Sequence, residues 1–275
     1  MTKIKIASWN VNSVKARIDN LVFWLKESSP DIVLLQELKC LEEVFPHESI
    51  EGLGYNIALK GQKTYNGVAI LSKFPIEDVI KELPDFDIDN QDQQARYIEA
   101  VISVNNAAIR VASIYVPNGG AQLEPEQKAN ETDKFLYKMN FYDRLHKHFK
   151  KIFSYNEMAV FGGDYNVALD NIDVYDPVSL KNTVCFHDDE KRKFRSLLNL
   201  GYIDSFRVLH SNVQSFSWWD YRGNAYKYDK GLRIDYLLTS PLATDKLTES
   251  YMEDKLVMER EKPSDHCPVV CVLEL

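Results

Sequence analysis

Residues 157–166 read EMAVFGGDYN, an apolar run at Met158–Phe161 that delivers the polar group Gly162-Gly163-Asp164-Tyr165-Asn166 with no linker between them. A short apolar segment bounded by Gly, Asp and Asn has the length and punctuation of a buried strand. A strand that ends in this way fixes its polar side chains at a sheet edge, as a preorganised site requires.

The same arrangement recurs along the chain. Ile4–Ser8 runs into Trp9-Asn10-Val11-Asn12, Ile32–Leu35 into Gln36-Glu37, and Ile109–Ile114 into Tyr115-Val116-Pro117-Asn118, while Ser264-Asp265-His266 precedes the last apolar segment. Taken singly, each end also reads as a turn or a solvated strand end, because Asn, Asp and Gly favour turns. Five such ends in one chain argue for a shared site.

Working outward, β-branched and aromatic content predicts strands at Ile4–Trp9, Asp31–Gln36, Tyr55–Leu59, Gly67–Leu71, Tyr97–Val104 and Ala108–Val116. Further strands are predicted at Glu157–Phe161, Ser215–Trp219, Arg233–Thr239 and Pro268–Leu273. Helical periodicity marks Ser13–Lys26, Asn130–Ile152 and Asp188–Leu200. Many strands with a few long amphipathic helices predict two packed sheets flanked by helices. The recurrence of strand and helix in both halves permits a pseudo-symmetric sandwich without requiring one.

The chain has 275 residues, 45% hydrophobic and 27% charged, enough to bury a substantial core. That length allows one large domain or two small ones; with no linker-like segment, a single catalytic domain spanning 1–275 is expected. The N-terminus, MTKIKIASWN, lacks the pattern of a secretory signal, and no apolar run reaches membrane-spanning length, so a soluble cytoplasmic protein without membrane contact is expected. Cys40, Cys185, Cys267 and Cys271 lack metal-binding spacing and read as buried reduced thiols. A net charge of −8 argues against holding nucleic acid by bulk positive charge, though a local basic strip remains compatible with it.

The polar ends suit one chemistry. Hard divalent cations take oxygen ligands, so Glu37 and Asp265 with an amide from Asn10 or Asn12 fit magnesium better than zinc, with manganese as a substitute. Phosphodiester hydrolysis needs an activated water, charge stabilisation on the non-bridging oxygens and help for the leaving oxygen. Asp164 can take the proton from water, and Asn166, Asn10 and His266 can donate to phosphate. Asp235, within GLRIDY, can orient His266 and favour its charged form, or can equally be a strand-end ion pair.

At this point the chain resembles the exonuclease III class of apurinic/apyrimidinic endonucleases, within the endonuclease/exonuclease/phosphatase superfamily. The matching segments are SWNVNSVKAR, DIVLLQELK, GQKTYNGVAILSK, YVPNGG, GGDYNVA, SFSWWDYR, GLRIDYLL and EKPSDHCPV, in order over nearly the whole length. The expected fold class is accordingly α+β, a four-layer α/β sandwich in which two packed mixed β-sheets are flanked by helices. The resemblance implies Glu37 as main metal ligand with Asn10, Asn12 and Asp265, and Tyr115 on the phosphate side. It implies Asp164 as the water-activating acid beside Asn166, and a paired Asp235 and His266. Asp164 and Asn166 could also be ligands of a second metal. Trp218, Leu232 and Ile234 would line an apolar pocket for a sugar without a base. Of the neighbouring Trp218 and Trp219, one is expected in the core, because adjacent strand residues face opposite ways.

Lys63, Arg96 and Asn118 are expected to contact the phosphate backbone. Residues 170–186 do not align securely with the family, so the residues that probe DNA there stay unassigned. The implied activity is magnesium-dependent hydrolysis of duplex DNA 5′ to abasic sites by a monomer, with 3′–5′ exonuclease action and 3′-end trimming. The alternatives are an inositol-phosphate or sphingomyelin phosphohydrolase of the same superfamily, which gives no reason for SFSWWDYR and GLRIDYLL, and an inactive DNA-binding module, which gives no reason for the complete set of acids, amides and imidazole.

Overall fold

The computed structural model describes residues 2–84, 92–105, 107–120 and 132–275. In chain order the elements are β1 (Lys3–Asn10), α1 (Ile18–Glu27), β2 (Ile32–Gln36), α2 (His47–Glu51), β3 (Asn56–Lys60), β4 (Val68–Ser72), β5 (Ile76–Ile80), β6 (Tyr97–Val104) and β7 (Ala107–Tyr115). They continue with α3 (Asp133–Phe153), β8 (Ala159–Asp164), α4 (Asp188–Leu198), β9 (Ile203–Asp204), α5 (Ser205–Leu209), β10 (Trp218–Trp219) and β11 (Gly231–Leu232). The last are β12 (Asp235–Thr239), α6 (Pro241–Thr244), β13 (Leu247–Met252), α7 (Asp254–Met258) and β14 (Val269–Glu274).

One six-stranded sheet runs β13-β14-β1-β2-β4-β3 and the other β5-β6-β7-β8-β12-β9, with β10 and β11 as a separate two-stranded ribbon. Each large sheet has a single parallel pair at its centre, β1 with β2 and β7 with β8, and antiparallel pairs on either side. In both, a helix crosses over between the parallel strands, α1 in one sheet and α3 in the other. The pseudo-symmetry that the sequence only permitted is therefore present in the strand pairing.

Apolar residues sort into layers. Ile4, Ile6, Ile32, Leu34, Val68 and Ile70 from the first sheet meet Ile98, Ile102, Ile109, Val111, Val160 and Leu237 from the second to form the central core. The outer face of the first sheet packs Trp9, Val33, Leu35 and Leu71 against Leu21, Trp24 and Leu25 of α1; that of the second packs Ala112, Ile114 and Phe161 against Phe135, Tyr142, Leu145 and Phe149 of α3. This is the expected four-layer sandwich.

Gly162 lies where the sheets pack with no room for a side chain. A Cβ there would lie 2.6 Å from Leu34 Cδ1 and 2.7 Å from Leu237 Cδ2, and one on Gly163 would lie 2.0 Å from the Ile114 carbonyl oxygen. The two glycines before Asp164 let β8 pass between its neighbours.

Element ends differ from expectation for physical reasons. The first helix begins at Ile18 rather than Ser13, because Asn12 and Ser13 adopt left-handed backbone, with φ of 45° and 85°. The third expected helix ends at Leu198, two residues short of Leu200. Of the expected helix Asn130–Ile152, Asn130 and Glu131 lie outside the described residues, and α3 begins at Asp133 under a Thr132 cap. Strands β5 and β13 escaped the sequence reading because they are irregular edge strands that lack strict alternation. Among the described residues no helix is long and apolar enough to cross a membrane.

Candidate active site

The parallel pairs explain where the polar ends meet. Both point their carboxyl ends to one side of the sandwich, the position where open α/β sheets place ligands. Asn10 closes β1, Glu37 follows β2, Tyr115 closes β7 and Asp164 closes β8. Glu37 and Asn166 adopt left-handed backbone, with φ of 52° and 51°. For Glu this conformation is costly, and such strain is characteristic of functional positions.

Asn10 bridges the two sheets. Its Nδ2 donates to Glu37 Oε1 at 2.9 Å and to Asp164 Oδ2 at 3.0 Å, while its Oδ1 accepts from the Asn12 N–H at 3.0 Å. Asp164 also accepts from the Asn166 N–H at 2.9 Å, and Asn166 Nδ2 donates to the Val116 carbonyl at 2.8 Å. Donor atoms of Glu37, Asp164 and His266 lie within 4.8 Å of one another. The two carboxylates so placed fit a divalent cation by their chemistry, Glu37 and Asp164 supplying hard oxygen ligands.

His266 sits opposite. Its Nδ1 is 2.9 Å from Asp235 Oδ2 and its Nε2 is 3.7 Å from Asp164 Oδ2. Ser217 Oγ donates to Asp235 Oδ2 at 2.6 Å and accepts from the Ile234 and Asp235 N–H groups, which fixes that carboxylate. Burial opposes charge on the ring, but the Asp235 and Asp164 carboxylates outweigh it and push the imidazolium up to about 10. Burial, helped by the Asp235 and Glu37 carboxylates and opposed by His266, raises the Asp164 carboxyl to about 7. At Glu37, burial is outweighed by Lys39 and the Asn10 amide, which hold its carboxyl below the usual range. Burial, followed by Glu37 and Asp164, keeps the Tyr115 phenol protonated, and Arg96 lies 4.7 Å from its ring centre.

The remaining expected ligands form a chain along the rim. Asp265 Oδ1 accepts from Asn12 Nδ2 at 2.8 Å and its Oδ2 from Trp218 Nε1 at 3.1 Å; Lys39 Nζ spans Asn12 Oδ1 at 2.5 Å and Glu37 Oε2 at 2.7 Å. Lys39, a residue the sequence reading did not single out, therefore supplies a cation beside Glu37.

A cleft of about 320 Å³ is lined by Glu37, Tyr115, Asn118, Asp164, Asn166, Asp265 and His266 together with the apolar side chains of Trp218, Leu232 and Ile234. Trp218 faces the cleft, whereas Trp219 is buried against Tyr226, so one of the pair is core. A second cleft, of about 550 Å³, shares Tyr115 and Asn118 and adds Arg96, Tyr65, Gln94, Lys134 and Tyr137. Lys63 is exposed on the loop that carries Gln62 and Tyr65.

Part of the segment that could not be aligned also enters the site. Val174 forms a β-bridge with Leu232, and Val184 and Cys185 line the cleft. Cys185 is a buried free thiol, as are Cys40, Cys267 and Cys271. Ser217, Asp220 and Arg222 were missed as individual residues; they lie within SFSWWDYR, whose alternation was the available signal.

The fold and this cluster define a metal-assisted phosphoester hydrolase. Residues 7–266 match the model of the Endonuclease/Exonuclease/phosphatase family, and the chain belongs to that family. It is 33% identical to exodeoxyribonuclease III of Haemophilus influenzae, over 97% of this chain and 98% of that protein. The structure of an AP endonuclease from Archaeoglobus fulgidus superimposes with a TM-score of 0.87 at 35% identity, covering 99% of this chain and all of the other (100%). A Neisseria 3′ phosphatase bound to product DNA hairpin gives a TM-score of 0.89 at 32% identity, with 99% and 100% covered.

Proposed function

We propose that this chain is a DNA-repair phosphodiesterase that uses magnesium to hydrolyse duplex DNA 5′ to abasic sites, and that trims 3′ ends by 3′–5′ exonuclease and related action. The observation that carries this reading is the pairing, in one cleft, of the cluster Glu37, Asp164 and His266 with an apolar wall of Trp218, Leu232 and Ile234. A phosphate can meet the first while a sugar stripped of its base packs on the second. The relatives named as exodeoxyribonuclease, AP endonuclease and DNA-bound 3′ phosphatase support it.

Chemically, Asp164 is the base. Its carboxylate accepts the proton of the attacking water, and the N–H of Asn166 at 2.9 Å holds the acceptor in place. His266, kept cationic by Asp235, donates to a non-bridging oxygen, and the protonated Tyr115 donates from the β7 side. Glu37 would hold the magnesium ion, with Asn10, Asn12 and Asp265 as neighbouring oxygen donors and Asp164 and Asn166 available to a second ion; bound metal would supply Lewis-acid stabilisation of the phosphate charge. Arg96 and Asn118 in the second cleft, with Lys63 on the neighbouring loop, position the backbone. We take the working unit to be a monomer, for which one chain can supply every residue named.

Labelled duplexes, one with a single tetrahydrofuran abasic analogue and one with a recessed 3′ end, incubated with magnesium and with chelator, test the reading. Cleavage 5′ to the analogue in magnesium alone is expected. An intact abasic duplex would overturn it.

A further inference from the structure

Behind the cleft lies an ion pair that the mechanism above does not use. Lys138 on α3 and Glu190 on α4 bond directly through their charged atoms, and both side chains have 0% exposure. Lys138 Nζ also donates to the Asn166 carbonyl at 2.7 Å and to the Asn118 carbonyl at 3.3 Å, so its three N–H donors all have partners. Glu190 in turn accepts from the His187 N–H at 3.0 Å through Oε2, closing the cap of α4.

Two features tie the pair to the cleft rather than to the core alone. Asn118 and Asn166 follow different strands, β7 and β8, and both line the cleft. Gly119, at φ 86°, rests on the lysine stem, and a Cβ there would lie 3.1 Å from Lys138 Cδ. Full desolvation of an ammonium and a carboxylate is costly, and an apolar pair would fill the same space at lower cost. What an apolar pair cannot do is grip two backbone carbonyls from separate loops at one point.

We propose that Lys138, held in charge balance by Glu190, is a positioning residue for phosphodiester hydrolysis. It locks the loops after β7 and β8 together so that Asn118, Asn166 and Asp164 meet the phosphate in one geometry. Asn166 passes the constraint on, since its left-handed backbone places its N–H on Asp164 Oδ1. The inference rests on the phosphodiesterase reading but not on abasic DNA as the substrate.

The test compares wild type, K138M/E190Q and K138R on an abasic duplex and on bis(p-nitrophenyl) phosphate, which needs only the phosphate-handling groups. K138M/E190Q removes both charges together and keeps the α4 cap. With folding verified by circular dichroism, its single-turnover rate should fall about 10- to 100-fold on both substrates, the cost expected of a small displacement of reacting groups. Duplex affinity should stay within about threefold, and K138R should recover most of the rate. Folded K138M/E190Q turning over at the wild-type rate would overturn the proposal, as would a loss confined to duplex affinity. If K138M/E190Q does not fold, E190Q alone decides: a several-fold slower rate with unchanged affinity supports the role, and a wild-type rate refutes it. Wild type that cleaves the small diester but not abasic DNA would refute the substrate reading alone.

Discussion

Replacing Asp164 by Asn tests the base and the electrostatics together. Asp164 is 1% exposed and shares its cluster with Glu37 and Asp235, and burial with these neighbours raises its carboxyl from 3.8 to about 7. The folded protein therefore binds this proton more tightly than the unfolded chain does. In metal-free protein the Asp164 contribution to stability is greatest below pH 4 and declines as pH rises towards 7. At about 1.4 kcal/mol per pH unit the ionised form costs up to roughly 4 kcal/mol. Asn removes the charge but loses the Asn10 Nδ2 contact, worth about 1–2 kcal/mol. D164N should accordingly gain about 1–3 kcal/mol in chelator at pH 8 and show no gain at pH 5. Its single-turnover rate on an abasic duplex should fall by roughly 10³, the scale of a lost general base, with duplex Kd within a few-fold. Thermal unfolding in chelator at the two pH values and quenched-flow cleavage measure these quantities. A rate within tenfold of wild type, or a metal-free variant less stable than wild type at pH 8, would refute the reasoning.

E37Q should raise the magnesium concentration for half-maximal activity by about tenfold or more, read by titration; an unchanged curve would remove Glu37 from the metal site. D235N takes away the first-named support of the charged imidazole, so His266 should lose its proton at lower pH and the pH–rate profile should fall on its alkaline side sooner; a superimposable profile argues against the pair. W218A opens the apolar wall and should raise KM for the abasic duplex by about tenfold while leaving hydrolysis of bis(p-nitrophenyl) phosphate near wild type. G163A places a methyl 2.0 Å from the Ile114 carbonyl and should cost about 2–4 kcal/mol by forcing β7 and β8 apart; a melting temperature within about 2 °C of wild type would contradict the packing.

The site was legible because its residues sit at the ends of strands that are apolar throughout. Ile32–Gln36 and Ala159–Asp164 are buried along their full length, so the switch to Glu37 and to Tyr165-Asn166 stands out in the chain itself. Which sheet each strand joins was not legible, because a buried strand carries no mark of its partner; the bridge through Asn10 from Glu37 to Asp164 exists only after the sheets pack. Lys39 was hidden for a related reason. Beside Glu37 it reads as an ordinary surface lysine, and only the left-handed turn at both residues brings its ammonium back onto the carboxylate. Lys138 and Glu190 look like exposed helix positions in α3 and α4 until the two helices close over the loops they hold.

Acidic groups concentrate at the cleft. Glu37, Asp164, Asp235 and Asp265 converge on one cleft, against His266 and Lys39 as its nearest cations. Charge is screened within about 8–10 Å at physiological salt, so a DNA phosphate responds to this cleft and its rim, and hardly to the net −8. The rim carries Arg96 and Lys134 along the second cleft and Arg222 beside the first, the last already paired with Asp220. With so few cations at hand, the cluster repels a phosphate until a divalent ion offsets its carboxylates. On the proposed mechanism the ion would then contribute to substrate binding as well as to catalysis, and the specificity that bulk charge does not supply would fall to the fit of the apolar wall.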